Sequence, residues 1–308
     1  MELIRDFSKL PETLRGGAVT IGNFDGVHLG HARIISQLIA SAEAAGGPAV
    51  VFTFDPHPVR LLRPEQCPPP LTWTDRKADL LGKLGVDAMV VYPTDVALLQ
   101  LSPRDFFDSI IQQGLGARAM VEGPNFFFGR ERAGNVELLR EYALDAGIRL
   151  DVVEPVQSGD AYVSSSRVRD LIAAGDVAGA NSLLTQPYRI RGMVTHGAGR
   201  GASLGFPTAN LEAIDTLLPA HGVYAGRAIT SSGRWSAAIN IGPNPTFGER
   251  SIKVEAHLID FHESLYGQPL ELDLLTRLRD VRTFASAEAL KQQLCDDVRQ
   301  AKMAGGGD

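Results

Sequence analysis

From residue 18 to about 156, short apolar runs alternate with amphipathic stretches, and after Gln186-Pro187 that alternation stops. The apolar runs are 18–24, 49–54, 88–92, 117–122 and 150–156, and helical spacing recurs over 32–45, 75–84, 103–114 and 135–146. Continuous apolar strands separated by helices require a parallel sheet covered on both faces, the doubly wound α/β class. Ligands of such sheets sit at the carboxyl ends of the strands. After 186 the pattern becomes short strands split by Gly and Pro, at 188–196, 223–230, 235–241, 253–261 and 270–278, with a closing helix at 286–302. Five or six strands at that spacing predict a small antiparallel β-barrel with a C-terminal helix. Two domains follow, 1–185 and 186–308, in keeping with a 308-residue chain.

At the end of the first strand stands Gly22-Asn-Phe-Asp-Gly-Val-His-Leu-Gly-His31, followed by Ile34, Ile35, Leu38, Ile39 and Ala42 at helical spacing. A strand, a Gly-rich turn and a helix start point backbone N–H groups and a positive helix end into one crevice, where anions bind. His28 and His31 are three apart, so both imidazoles can face it, and Gly30 lets a flat group approach the backbone. Imidazoles there can donate to phosphoryl oxygens and, when protonated, offset developing charge. A zinc site is the weaker reading, since no third ligand follows at metal spacing.

Three further stretches carry chemistry. Val163-Ser-Ser-Ser-Arg-Val-Arg169 puts three hydroxyls and two guanidinium groups at a helix start, an anion-binding element or an N-cap beside a solvated face. The run Gly197 to Asn210 holds exposed glycines, with Arg200 to supply charge, and ends Gly205-Phe-Pro-Thr-Ala-Asn210. Oxygen donors such as Thr208 and Asn210 suit a hard cation. Of the three adjacent Phe at 126–128, alternation turns Phe127 away from its neighbours.

Together these motifs resemble the bacterial bifunctional riboflavin kinase/FMN adenylyltransferase (FAD synthetase) family, in order and over nearly the whole chain. The resemblance implies two activities. The barrel would phosphorylate riboflavin to FMN with ATP and Mg²⁺, and the α/β domain, a nucleotidylyltransferase, would transfer AMP from ATP to FMN, giving FAD and pyrophosphate. It makes Glu255 the general base on the ribityl hydroxyl, and Thr208 and Asn210 the Mg²⁺ ligands. His28 and His31 become the catalytic pair of adenylyl transfer. Nucleotide and flavin contacts fall to Asn23, Asp25, Gly30, Asn125, Ser165, Ser166 and Arg169, and in the barrel to Gly197, Arg200, Gly205 and Asn240 of Asn240-Ile-Gly-Pro-Asn-Pro-Thr-Phe247. Phe127 stands where the family has a basic residue, a placement toward an isoalloxazine ring. Ala202 also replaces a basic residue, with Arg200 nearby to compensate. Two rivals remain: an adenylyltransferase alone, with the barrel as appendage, and a flavin-binding or regulatory protein with a degenerate kinase site.

Composition bounds the partners. A formal net charge of −6 argues against nucleic acid as a partner. No run of 18 apolar residues predicts a membrane span. The two cysteines, Cys67 and Cys295, support neither a disulfide framework nor a thiolate metal site, and a reducing cytoplasm is the simplest location. Nothing in the pattern specifies an oligomer.

Overall fold

The computed structural model describes residues 1–197, 199–243 and 252–306. The chain forms two compact units, one of residues 1–68 and 74–164, the other of 69–73 and 165–308. The boundary expected near 185 rests on the change of strand pattern; by contacts, the helical stretch after Ser164 already groups with the barrel.

The first unit holds six parallel strands, β1 (Glu2–Ile4), β2 (Ala18–Ile21), β3 (Ala49–Asp55), β4 (Ala88–Pro93), β5 (Ala119–Glu122) and β6 (Arg149–Val152), in the order β1-β4-β3-β2-β5-β6. Its helices are α1 (Leu29–Ala45), α2 (Pro58–Leu62), α3 (Thr74–Lys83), α4 (Val96–Gln100), α5 (Pro103–Phe106), which runs on as a π-helix over Phe107–Gly114, and α6 (Val136–Asp145). Alternate residues of the buried strands serve opposite faces. Val50, Phe52 and Met120 join a cluster with Phe107, Ile111 and Leu139. Val51, Met89 and Val121 join another with Ile35, Leu38 and Leu81. That two-sided burial is why the strands read as unbroken apolar runs. β1, three residues long at the sheet edge, had no period by which sequence could reveal it. A short hairpin, β7 (Gln157–Ser158) and β8 (Ala161–Tyr162), follows.

The second unit begins with α7 (Ser165–Ala173) and α8 (Val177–Leu183). Asn181 ties α8 to the barrel, its amide donating to the Leu274 carbonyl at 2.8 Å and accepting from the Tyr188 N–H at 2.7 Å. The barrel strands are β9 (Arg189–Thr195), β10 (Ala209–Glu212), β11 (Gly222–Thr230), β12 (Gly233–Gly242), β13 (Lys253–Leu258) and β14 (Pro269–Arg279). They close in the order β10-β13-β12-β11-β14-β9, all antiparallel, with β9 pairing β10. Ile190, Val194, Tyr224, Ile239, Val254, Ala256 and Leu272 alternate along the strands and fill the interior. Short α9 (Arg200–Ser203) lies in the Gly-rich loop, and α10 (Ala287–Gly305) packs Ala301 and Val298 against Ala225 and Ala238 on the outside of the wall.

Candidate active sites

In the α/β unit the strand order reverses at β2 and β5, and the conspicuous turn leaves the carboxyl end of β2 at that switch. The turn is strained. Phe24 (φ 46°) and Val27 (φ 43°) adopt left-handed backbone with buried side chains, flanking Gly26 at φ 83°. A β-branched residue there is an outlier costing about 1–3 kcal/mol, held only where the surroundings over-determine it. The far end is fixed by a reciprocal box. His28 is the N-cap of α1, its Nδ1 accepting the His31 N–H at 3.3 Å, while His31 Nδ1 accepts the His28 N–H at 3.3 Å. The rings stack with centroids 3.6 Å apart. A Cβ at position 30 would lie 3.0 Å from His28 Cε1 and 3.1 Å from its Nδ1, so any larger residue would press on the ring that makes this fold-back.

The box settles the tautomers. Both Nδ1 atoms accept, so each neutral ring carries its proton on Nε2 and presents it as a donor. Burial lowers His28 to about 4, with the Asp25 charge working the other way. His31 lies well below its usual value through burial, then the charges of His28 and Lys77. Near neutral pH the pair therefore donates without charge in the free protein. Imidazole nitrogen NMR should show both rings as Nε2–H tautomers from about pH 8 to about pH 5. The sign for stability follows: below the ordinary 6.5 the unfolded chain takes protons that folded His28 refuses until about 4. Stability is complete above that window and falls as pH drops through it, so thermal melting should begin earlier at pH 5 than at pH 7. An Nδ1–H signal from either ring would overturn the assignment.

Around the box lie Asp25, buried, and Asn23, whose buried Oδ1 has no hydrogen-bond partner. Sequence reading missed Lys77. It sits on α3, 8% exposed, on the helix face of Leu80 and Leu81. Burial lowers its pKa, opposed by the charges of Asp25 and Asp55. A lysine on an apolar helical face is the signal that could have found it. Asn125 stands exposed in the loop after β5. Phe126 and Phe128 stack and join the core, whereas Phe127 is 45% exposed with the Arg132 guanidinium 4.7 Å over its ring. His57 caps α2 by accepting the Val59 N–H.

In the barrel unit the cross-strand register does the assembling. Asn210 on β10 pairs with Glu255 on β13, and Glu255 pairs with Asn240 on β12, so three predicted residues form one row. Along β13 the residues Val254, Ala256 and Leu258 are buried and Lys253, Glu255 and His257 alternate with them. The row therefore faces outward, into a pocket between the barrel wall and α10 that Arg200, Thr208 and Lys253 also line. Two glycines make room for the donors. A Cβ at 197 would lie 2.2 Å from the Asn210 amide nitrogen, and one at 201 would lie 2.4 Å from the Phe206 carbonyl and 3.3 Å from Thr208 Oγ1. Gly205, at φ 91°, turns the chain toward Thr208. His257 anchors the same loop through Nδ1 to the Pro207 carbonyl at 2.8 Å.

The opposite wall is a polar network. Arg279, at the end of β14, forks onto Asp297 of α10, with Nε to Oδ1 at 2.9 Å and Nη2 to Oδ2 at 2.7 Å. Gln293 donates to Asp297 Oδ1 at 2.8 Å and accepts from Arg282. Both guanidinium groups lie against the Phe284 ring. Ser165, Ser166 and Arg169 open α7 in this unit, where Arg169 Nε donates to the Pro69 carbonyl at 3.2 Å. The stretch 244–247 of the expected Asn240 motif lies outside the described residues.

Comparison with known proteins finds a family match for each half of the chain. The FAD synthetase family model matches residues 10–167, and the riboflavin kinase model matches residues 184–304. A bifunctional riboflavin kinase/FMN adenylyltransferase of Pseudomonas fluorescens is 36% identical over 303 residues, 98% of this chain and 97% of that one. Its counterpart in Bacillus subtilis (strain 168) is 34% identical, over 92% of this chain and 90% of its own. A solved structure described as a macrolide-efflux protein from Streptococcus pneumoniae superimposes with a TM-score of 0.87 at 28% identity, covering 97% and 98% of the two chains. Among the described residues no helix is long and apolar enough to cross a membrane. With both family models matched in order and full-length relatives above 30% identity, the chain belongs to the bifunctional riboflavin kinase/FMN adenylyltransferase family.

Proposed function

We propose that the barrel unit transfers the γ-phosphoryl group of ATP to riboflavin and that the α/β unit transfers AMP from ATP to the resulting FMN, releasing pyrophosphate. The observation that carries this is the Asn210–Glu255–Asn240 row, with Thr208 beside it, in a pocket that also holds cationic side chains. In the kinase step the ribityl primary hydroxyl attacks the γ-phosphorus and ADP leaves. Glu255 accepts the hydroxyl proton, and Arg200 and Lys253 offset phosphate charge. Thr208 and Asn210 are neutral oxygen donors given space by Gly201 and Gly197, a set that fits Mg²⁺. Bound there, the ion would neutralise charge on the ATP phosphates. Asn210→Ala should raise the Mg²⁺ concentration for half-maximal riboflavin phosphorylation, and an unchanged requirement would remove Asn210 from the ligand set.

In adenylyl transfer an FMN phosphate oxygen attacks the α-phosphorus in line as its bond to pyrophosphate breaks. No covalent enzyme intermediate is needed. His28 and His31 supply Nε2–H donors, Lys77 adds a charge in their surroundings, and Asn23, Asp25, Gly30 and Asn125 are the residues assigned to nucleotide contact. Incubating the full chain with riboflavin, ATP and Mg²⁺ and separating the flavins by chromatography tests both halves. FMN followed by FAD is the expected course. FAD from supplied FMN with no riboflavin consumed would leave an adenylyltransferase alone. His31→Ala should lower FAD formation at least about tenfold while riboflavin phosphorylation survives.

A further inference from the structure

The strand that feeds the histidine turn is held differently on its two sides. Toward β3, the ladder runs the length of β2, from Ala18↔Ala49 to Ile21↔Phe52, and the Gly22 N–H still donates to the Phe52 carbonyl at 3.0 Å. Toward β5, the register stops at Val19↔Met120. Beyond that point the strands part, and the Ile21 N–H has lost its ladder partner. It donates instead to Glu122 Oε1 at 2.7 Å. Glu122 is 3% exposed, and its main chain is itself fixed, paired to Val152 with its carbonyl accepting the Val153 N–H at 2.8 Å. Burial pushes its carboxyl well above the usual range, against the pull of the Ile21 N–H. Shape and acceptor, rather than charge, are what the position requires.

Ile21 is the last residue of β2 before the strained turn and the last whose N–H is held from the β5 side, and the turn ends on the His28–His31 box. Left-handed Phe24 and Val27 would relax if either end came loose, because such conformations persist only when their surroundings impose them. We propose that Glu122 is a positioning residue for adenylyl transfer: its carboxyl bridges the split between β2 and β5 and fixes the entry of the turn that aims His28 and His31. This rests on the reading of the two histidines as donors in that step.

The test measures FAD formation from supplied FMN, riboflavin phosphorylation, and the imidazole nitrogen NMR signals of His28 and His31 in the full chain. Glu122→Gln keeps an acceptor oxygen at the same reach, so its turnover should stay within about twofold and the imidazole signals should hold. Glu122→Val strands the Ile21 N–H. Its kcat for FAD formation should fall about tenfold or more with KM for ATP little changed, its imidazole signals should shift, and riboflavin phosphorylation should persist. Should the Val variant fail to fold, Glu122→Asp, whose carboxyl is withdrawn by one methylene, serves the same comparison and should show the same shift and loss. Full turnover with unshifted signals in Val or Asp, or a Gln variant as impaired as Val, overturns the assignment. His31→Ala separates the two claims. If it keeps FAD formation, the histidine reading falls; if it loses FAD formation while Glu122→Val does not, only the positioning role falls.

Discussion

Glu255→Gln should lower the turnover of riboflavin phosphorylation about a hundredfold or more, the usual worth of a placed base, with little change in ATP affinity. The substitution keeps the size of the side chain and its hydrogen bonding but removes the proton acceptor. Its neighbours in the row, Asn210 and Asn240, cannot substitute, because an amide oxygen near neutral pH does not take up a proton. Buried Val254 and Ala256 on either side hold the strand in place, so the loss should come without a change in fold. FAD formation from supplied FMN should be untouched, since the histidine pair assigned to it belongs to the other unit. Near-normal phosphorylation in this variant would leave the kinase relying on positioning and metal alone.

Asp297→Ala should destabilise the barrel unit by about 3–5 kcal/mol, the cost of stranding one charge of a buried pair. The Arg279 and Asp297 side chains are only 18% and 2% exposed, and their contact is two-pronged. Removing the carboxylate leaves the guanidinium buried with less compensation and also frees Gln293. The double variant Arg279→Met, Asp297→Leu removes both charges and should recover most of the loss, because exchanging a whole buried pair for apolar groups is close to neutral or favourable. Urea unfolding of the wild type and the two variants reads this directly. A single variant as stable as the wild type would mean that the pair is not desolvated in solution.

Most of the architecture could be read from periodicity, because both units announce it. The α/β sheet is covered on both faces and gives apolar runs; the barrel is filled inside and walled outside and gives alternation. What escaped is short, or held by polar contacts between distant residues. Strand β10 has four residues, Ala-Asn-Leu-Glu, and only Leu211 is buried, so no period exists to find. Yet it is the strand that sets Asn210 beside Glu255. The grouping of α7 and α8 with the barrel depends in part on the two hydrogen bonds of Asn181, and that of residues 69–73 on contacts such as Arg191 over the Trp73 ring, 4.5 Å from its centroid. Neither leaves a pattern in the chain. At the first site the histidines were legible from spacing, whereas their charge state and tautomer were not, since the first follows from burial and the second from a cap in which each ring accepts the other's amide. Lys77 and Glu122 were passed over for the same reason: in a sequence, a charged residue reads as solvent-facing until burial shows otherwise.

The alternation along β13 ties catalysis and folding to a single reading frame. Odd-numbered positions carry Lys253, Glu255 and His257 to the pocket side, and even-numbered ones carry Val254, Ala256 and Leu258 into the barrel. A one-residue insertion or deletion in this strand would exchange the two sets, turning the carboxylate inward and the valine outward. Point substitutions at the even positions can be absorbed by repacking, but an indel cannot, so length variation among functional descendants of this chain should fall in the turns flanking β13 and spare the strand itself.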